Sequence, residues 1–194
     1  NHLQHYEEWM YKQITIKKGT VEKFQWRRDV SYTWTRKNAT LTAYPTEIHT
    51  VNALLMMAKN DFKKLTTADT ITQFIEQNFP DVLPALSDIT ESLTVNPDGN
   101  FATIYTSPWY YKESIVLIGD AAHAFLPFYG QGMSTGYGDC LAFIKLLDSY
   151  GEDWEKILPM YQKNRKKHTD TLADLSKGAF SRYRRKKKAD YAAV

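Results

Sequence analysis

The chain has 194 residues, of which 43% are hydrophobic and 14% aromatic, and its net charge at pH 7 is +3. This hydrophobic content argues against a disordered protein, and no stretch approaches the ~20 apolar residues that a membrane-spanning helix needs. The single cysteine, Cys140, excludes an intramolecular disulfide and favours a reducing, cytoplasmic compartment. The sequence starts without Met and without a signal peptide, so we expect that it begins inside a longer protein.

Strand-like patterns occur at three places in the first sixty residues. Residues 11–16 alternate between apolar and polar, residues 31–35 are rich in threonine and aromatic residues, and residues 51–58 form an apolar run. Alternation and a β-branched or aromatic composition are typical of strands. Together the three segments predict a mostly antiparallel sheet.

A helix, a turn and a further strand are predicted next. Residues 66–79 carry apolar side chains at helical spacing, and Thr66 or Thr67 can cap the helix. The Asn-Pro-Asp-Gly sequence at 96–99 predicts a turn from its composition. The turn leads into a strand over residues 101–105.

The character of the chain changes after residue 108. Residues 115–118 are wholly apolar, which is typical of a strand covered on both faces. A long helical pattern begins at Trp154, and we expect it to be kinked or restarted at Pro159. Between these segments a helix is predicted over residues 132–147. Its predicted inward face consists of Met133, Tyr137, Cys140, Ile144 and Leu147.

A basic run, Arg182–Lys188, holds six cations and no acid. Such a run favours nucleic acid or an anionic membrane surface as a partner, but it is also typical of a solvated helix end. The chain has no recognisable nucleic-acid-binding signature, and aromatic residues do not alternate with the cations as a stacking platform would require. We therefore do not expect a nucleic-acid partner, and a membrane-surface contact stays open.

The most informative stretch is residues 115–140, where a predicted strand ends at Gly119-Asp120. Ligands of open α/β sheets bind beyond the carboxyl ends of the strands. Asp120 is therefore placed where a carboxylate can accept hydrogen bonds from a ligand hydroxyl. The Gly-Asp pair or His123 alone would more often be structural, and only the whole stretch indicates a site.

The loop that follows has the features of a cofactor cradle. Gly130 and Gly132 allow the backbone to approach a ligand closely, and Pro127 stiffens the approach. The next helix starts at about Gly132, and its first N–H groups carry partial positive charge. A helix N-terminus of this kind stabilises a negative charge, which predicts a cofactor that becomes anionic.

The stretch resembles the flavin-contacting motif of the class A flavoprotein monooxygenases, which starts with Gly-Asp-Ala-Ala-His and ends with Pro-x-x-Gly-Gln-Gly-Met-Asn. Ser134 replaces the final Asn in this sequence. The resemblance implies FAD and the C-terminal part of an α/β FAD-binding monooxygenase fold like that of p-hydroxybenzoate hydroxylase, with a mostly antiparallel substrate sheet and C-terminal helices. It implies that Asp120 holds the ribityl chain and that residues 127–134 line the isoalloxazine ring. The implied cofactor-binding residues are Gly119, Asp120, Pro127, Gly130, Gln131, Gly132, Met133 and Ser134.

Within that family the chain is most similar to the kynurenine hydroxylases, in the residues from Pro127 to Met133 and in Asn78-Phe79-Pro80-Asp81. This likeness implies hydroxylation of a small aromatic substrate, foremost L-kynurenine to 3-hydroxykynurenine, with NADPH and molecular oxygen. Phe128, Tyr129 and Ala179 are expected on the substrate side. One departure favours a less polar ring, because Ala179-Phe180 replaces an Asn-Tyr pair of those enzymes. We identify no metal ligands and no general acid or base.

The family's G-x-G-x-x-G fingerprint, which binds the ADP part of FAD, does not occur in the sequence. The resemblance therefore implies three regions: a β-rich substrate region at 1–106, the C-terminal part of the FAD-binding domain at 107–150, and a helical region with the basic tail at 151–194. Such a chain alone is expected to be inactive. The alternative is a flavin-hydroxylase fragment that acts as a non-catalytic binding module through its basic tail.

Overall fold

The computed structural model describes residues 1–16, 19–48, 50–86 and 89–185. The chain divides into two compact units. One unit consists of residues 7–101, and the other of residues 1–6 together with the chain from residue 102 onward. These two units are defined by how compactly their residues pack and not by function. The predicted functional regions, with limits at residues 106 and 150, therefore stay a prediction.

The described residues form a five-stranded sheet with the strand order β2-β3-β4-β1-β5. The pairs β1–β4, β2–β3 and β3–β4 are antiparallel, with Met10 opposite Met57 and Leu41 opposite Leu55. The three strand predictions and the antiparallel sheet are confirmed, whereas β3 was not predicted. The strands are β1 (His2–Ile16), β2 (Tyr32–Thr35), β3 (Ala39–Pro45), β4 (Val51–Ala58) and β5 (Asp98–Thr106).

Helices accompany the sheet in the unit of residues 7–101. The predicted helix at 66–79 is α3, and Thr67 caps it by accepting the N–H of Thr70 at 3.2 Å while the Thr70 hydroxyl accepts the N–H of Thr67 at 3.0 Å. This reciprocal pair is a capping box, which satisfies two N–H groups at the helix start. The helices of this unit are α1 (Thr20–Lys23), α2 (Lys59–Phe62), α3 (Ala68–Asn78), a 3₁₀ turn (Leu83–Ala85) and α4 (Ile89–Val95).

The core of this unit lies between one face of the sheet and the apolar sides of α3 and α4. Burial of apolar surface of this kind contributes about 25 cal/mol per Å². The fully buried side chains with the largest volumes here include Ile14, Leu41, Leu55, Met57, Ile71, Ile75 and Phe79.

The predicted turn at 96–99 is wrong for its second half, because β5 already begins at Asp98. The chain bends at Asn96, directly after α4, and the side-chain amide of Asn96 donates to the carbonyl of Gln13 at 2.6 Å. The ring of Tyr11 lies directly against Gly99 and fills the space that a Cβ atom on residue 99 would need. The glycine therefore serves close packing within a strand and not a turn.

The second unit begins its C-terminal part with a two-stranded antiparallel ladder, β6 (Tyr110–Tyr111) and β7 (Ile115–Val116). The prediction of a strand at 115–118 covered on both faces is wrong in this chain. Only residues 115 and 116 are in a strand, and Ile115 is 55% exposed. Residues 116–118 are half-buried against the cluster around Trp109 and Tyr161, and a ladder of only two strands gives little further cover.

Four further elements complete this unit: α5 (Asp120–His123), a 3₁₀ turn (Pro127–Tyr129), α6 (Gly132–Tyr150) and α7 (Trp154–Arg185). The predicted restart of the helix at Pro159 is wrong, since α7 runs through this residue, whereas the predicted kink stays a prediction. Pro159 is the sixth residue of the helix, and its missing N–H removes one backbone hydrogen bond close to the helix start. The N–H groups of Lys156 and Ile157 in the preceding turn donate to the Asp153 carbonyl at 3.1 and 2.9 Å, so the first turn is fixed without Pro159. Among the described residues, no helix is long and apolar enough to cross a membrane.

The predicted inward face of α6 is also wrong except at Leu147, which is half-buried against the cluster around Trp109 and Tyr161. Met133, Tyr137 and Ile144 are 73%, 64% and 51% exposed, and Cys140 is exposed as well. The buried residues of α6 are Thr135, Asp139 and Leu146. The helix thus turns a face with two polar residues inward, where the Asp139 carboxylate and the Thr135 backbone carbonyl have hydrogen-bond partners.

A small apolar cluster joins α6 and α7 to the residues around β6. Trp109 and Tyr161 are fully buried at its centre, with their ring centroids 5.7 Å apart. The Trp109 backbone N–H donates to the Gln162 side chain at 2.6 Å, and its indole N–H donates to the Thr106 carbonyl at 2.9 Å. This cluster supports the chain segment that leads into Gly119.

Candidate functional site

The candidate site begins at a sharp turn at Gly119. Its φ of 62° and ψ of −138° lie in a region that is almost restricted to glycine. The Gly119 carbonyl accepts the N–H groups of Ala122 at 2.9 Å and His123 at 3.0 Å, which starts α5. A Cβ atom on Gly119 would lie 3.9 Å from the Cα of Gly136, so the turn lies close against the backbone of α6.

Asp120 follows this turn as the first residue of α5 and is exposed. The turn therefore directs the chain so that a carboxylate reaches the surface directly after the half-buried segment 116–119. This is the position that the sequence predicts for a group that accepts hydrogen bonds from a ligand.

Beneath the turn lies a buried polar network centred on Asp139 of α6. One carboxylate oxygen, Oδ2, accepts the Gly119 N–H at 3.0 Å and lies 2.6 Å from Nε2 of His123. The other oxygen, Oδ1, accepts the Arg165 Nε–H at 2.7 Å. A second guanidinium nitrogen of Arg165 donates to the Thr135 carbonyl at 3.1 Å.

The charge on Asp139 is maintained by these partners. Burial raises the pKa of the Asp139 carboxyl, but the hydrogen bonds from His123, Arg165 and the Gly119 N–H outweigh burial and hold the pKa below its usual value. Because an ionised carboxylate can only accept, the proton in the contact with His123 resides on Nε2. Asp139 is fully buried and His123 nearly so, which makes this a buried charge that is fully paired.

The loop after α5 presents the remaining motif residues on the surface. Gly130 has a φ of 63° in the left-handed region and ends the 3₁₀ turn. Gln131 is the N-cap of α6, and its side chain makes no capping hydrogen bond. The first N–H groups of α6 thus lack the usual side-chain acceptor. The exposed motif residues of this loop and helix start are Pro127, Tyr129, Gly130, Gln131, Met133 and Ser134, whereas Gly132 is half-buried.

The chemistry of these groups fits the ring and ribityl parts of a flavin. The exposed carboxylate of Asp120 can accept hydrogen bonds from ribityl hydroxyls, and an uncapped helix N-terminus stabilises negative charge on a bound ring. The contact between Gly119 and Gly136 ties the turn that carries Asp120 to the first turns of α6. The structure thus brings together the two ends of the predicted flavin-contacting motif.

The residues predicted on the substrate side pack against the end of α7. The ring of Phe128 stacks on Phe180 with centroids 5.0 Å apart and planes at 25°. The Tyr129 hydroxyl accepts a hydrogen bond from Arg182 at 3.1 Å. Ala179 lies half-buried beside Phe180. Of the basic run Arg182–Lys188, residues 186–188 lie outside the described residues.

The segment Asn78-Phe79-Pro80-Asp81, which is part of the likeness to the kynurenine hydroxylases, makes structural contacts. Arg36 donates from Nε to the Asn78 carbonyl at 2.7 Å and from Nη2 to the Asp81 carboxylate at 2.8 and 3.0 Å. Phe79, between them, is completely buried. These contacts attach the end of α3 to the β2–β3 turn, and they account for this motif without a substrate.

Sequence reasoning missed the partners of Asp139. Arg165 belongs to a different helix, 26 residues away, and its sequence neighbourhood carries no sign of a site. The sequence predicts that His123 is a packed residue, which agrees with its burial but does not reveal its contact with Asp139. A useful signal was the isolated acid at position 139 within an apolar helix, since buried carboxylates need cationic partners.

The chain matches the model of the FAD binding domain family over residues 10–176. Curated relatives include the kynurenine 3-monooxygenases of Salinispora arenicola, 36% identical over 183 residues, and of Legionella pneumophila, 34% identical over 169 residues. These matches cover 93% and 86% of this chain but only 40% and 37% of the relatives. The chain therefore spans well under half the length of the curated relatives it matches.

Solved structures show the same fold. The tetrameric form of 2-methyl-3-hydroxypyridine-5-carboxylic acid oxygenase aligns with a TM-score of 0.78 at 18% identity, covering 98% of this chain and 51% of that one. PqsL of P. aeruginosa in complex with 2-aminobenzoylacetate aligns with a TM-score of 0.74 at 15% identity, covering 95% and 51%. The predicted α/β FAD-binding monooxygenase fold is thus confirmed. The chain belongs to the FAD binding domain family and, within it, is similar to the kynurenine 3-monooxygenases.

Proposed function

We propose that this chain forms the flavin-ring and substrate side of an FAD-dependent monooxygenase that hydroxylates a small aromatic compound. The observation that carries the proposal is the placement of an exposed Asp120, directly after the Gly119 turn, on a segment packed against an α6 whose N-terminus is uncapped. The names of the curated relatives support the same activity.

The residues of this chain have distinct roles in the proposed enzyme. Asp120 accepts hydrogen bonds from the ribityl hydroxyls, and the first N–H groups of α6 face the part of the ring that becomes negative. Pro127 and Gly130 shape the loop that covers the ring. Bound FAD supplies the redox chemistry, with electrons from NADPH and oxygen atoms from O₂.

We further propose L-kynurenine as the leading substrate. The support is the identity of 32–36% to several kynurenine 3-monooxygenases and the Pro-Phe-Tyr-Gly-Gln-Gly-Met sequence at 127–133. Phe128, Tyr129 and Ala179 are proposed on the substrate side. The Phe128–Phe180 stack makes this region apolar, so a substrate with fewer polar groups than kynurenine is the competing choice.

The decisive experiment uses the protein as its gene encodes it in full, loaded with FAD. NADPH consumption is measured with and without L-kynurenine, and the hydroxylated product is detected by mass spectrometry. We expect kynurenine to accelerate consumption and to yield 3-hydroxykynurenine. If another anthranilate-like or phenolic compound does both and kynurenine does neither, the substrate is wrong and the enzyme class stands. If no aromatic compound accelerates consumption by the flavin-loaded protein, the hydroxylase function is wrong.

An Ala179→Asn, Phe180→Tyr double variant refines the substrate assignment. It restores the pair of the kynurenine hydroxylases, so its kcat/KM for L-kynurenine should rise relative to that for the phenolic compounds. An Asp148→Asn variant, altered at an exposed position of α6, is the matched control. A ratio that is unchanged in the double variant would show that these positions do not select the substrate.

A further inference from the structure

We infer that Asp139 is a positioning residue, which holds the Gly119-Asp120 turn and the first turns of α6 in one fixed arrangement through Arg165 and His123. The inference deepens the proposed function and rests on it for the identity of the ligand. Asp139 is buried and does not itself contact the flavin in the proposed site, but it fixes the positions of the groups that do.

The turn at Gly119 is held by a hydrogen bond to Asp139. Gly119 adopts a conformation that few residues other than glycine can reach. Because glycine also has many other accessible conformations, an interaction is needed to select this one. The Asp139 carboxylate supplies one by accepting the Gly119 N–H at 3.0 Å. Because Asp120 is the next residue in the chain, the direction of its carboxylate depends on this hydrogen bond.

The start of α6 is connected to Asp139 through Arg165. Asp139 lies in α6 two turns after Gly132, and Arg165 from α7 bridges Asp139 to the Thr135 carbonyl. A Cβ atom on Gly138 would lie 3.0 Å from a guanidinium nitrogen of Arg165, so the guanidinium lies directly on the helix surface. A planar, two-pronged donor of this kind fixes orientation as well as charge.

His123 closes the network from the side of α5. Its Nε2 lies 2.6 Å from the same oxygen that receives the Gly119 N–H, and its ring centroid is 5.1 Å from that of Trp109. The single carboxylate of Asp139 thus contacts the residue before Asp120, the last residue of α5 and the cation that holds α6. Loss of the carboxylate charge should therefore loosen both flavin-contacting ends together.

The first arm of the test needs no flavin. Amide hydrogen exchange of the 194-residue chain is measured for wild type and Asp139→Asn, which preserves shape but removes the charge. The Gly119 amide should exchange about tenfold faster or more in the variant, while amides of α7 near Tyr161 keep their protection. Equal protection of the Gly119 amide in a folded variant would overturn the inference.

Arg165→Lys is the second variant, and it serves both arms if Asp139→Asn does not fold. Lysine keeps the positive charge but cannot donate to Asp139 and Thr135 with the geometry of a guanidinium. Faster exchange at Gly119 is expected here as well. Wild-type protection at Gly119 in folded Arg165→Lys would count against the network.

The second arm is a double-mutant cycle on flavin affinity in the protein as its gene encodes it. In the wild-type background, Asp120→Ala should weaken FAD binding by about 10- to 100-fold. In the Asp139→Asn background the same substitution should weaken binding much less, because Asp120 is no longer aimed at the ribityl chain. A general loss of stability would leave the effect of Asp120→Ala unchanged, and that result would overturn the inference.

The two arms separate the inference from the proposed function. If the wild-type protein binds no flavin, the proposed function fails, and the exchange at Gly119 still decides whether Asp139 positions the turn. If the protein binds flavin and the two substitutions act independently, the proposed function stands and the positioning role of Asp139 fails.

Discussion

Gly119 has the most demanding backbone conformation of the candidate site, and it can be tested without a ligand. Gly119→Ala should destabilise the chain by about 1–3 kcal/mol, because a Cβ atom is strained at this φ and ψ. Gly132→Ala is the matched control, since its Cβ would meet no atom within 4 Å and alanine favours a helix. Urea unfolding followed by circular dichroism measures both. Equal stabilities of the two variants would contradict the role of the turn.

Asp139 should make stability depend on acid pH. Its carboxyl has a lowered pKa in the folded chain, whereas an unfolded aspartate titrates near about 3.9. Such a carboxylate makes its full contribution to the free energy of unfolding above about pH 4. This contribution is lost as the pH falls from there towards the lowered pKa. Asp139→Asn should therefore have a lower Tm at pH 7 and a flatter decline of Tm below pH 4.

The measurement is a series of thermal melts between pH 3 and pH 7. Asp148→Asn, at an exposed position of the same helix, should reproduce the wild-type curve and serves as the control. Parallel curves for wild type and Asp139→Asn would contradict the assignment of the lowered pKa to Asp139.

At the level of the element, the orientation of α6 can be tested with one substitution at two positions. Leu146 is 7% exposed and Leu141 is 60% exposed. Leu146→Ala should cost about 2–5 kcal/mol of unfolding free energy, since it leaves a cavity beside the cluster around Trp109 and Tyr161. Leu141→Ala should change stability by less than about 0.5 kcal/mol. Comparable losses at both positions would mean that the helix is rotated from the orientation described.

At the level of the whole molecule, the proposed division of flavin contacts predicts weak binding by the 194-residue chain alone. The chain lacks a G-x-G-x-x-G sequence for the ADP part of FAD and covers 40% of a curated relative. Its proposed contacts reach only the ring and the ribityl chain. FAD and riboflavin should therefore bind with similar affinity, weaker than about 1 μM. Flavin fluorescence titration measures both, and sub-micromolar binding of FAD but not riboflavin would show an ADP site in this chain.

The sequence by itself determined the features that depend on local pattern. Alternation and β-branched composition place strands at β1, β2 and β4, and the threonine cap with its apolar spacing places α3. The motif from Gly119 to Ser134 is likewise local in sequence, and two of its residues, Gly119 and Gly130, have the positive φ that favours glycine.

Only the tertiary structure decided which side of α6 is buried and what satisfies Asp139. Apolar periodicity favours an inward stripe through Met133, Tyr137 and Ile144, yet the helix buries Thr135 and Asp139 instead. The reason is that Arg165 and His123, distant in sequence, satisfy the carboxylate and remove most of the cost of its burial. A pattern along one helix cannot reveal a partner on another, so this part of the site appears only when the helices are packed.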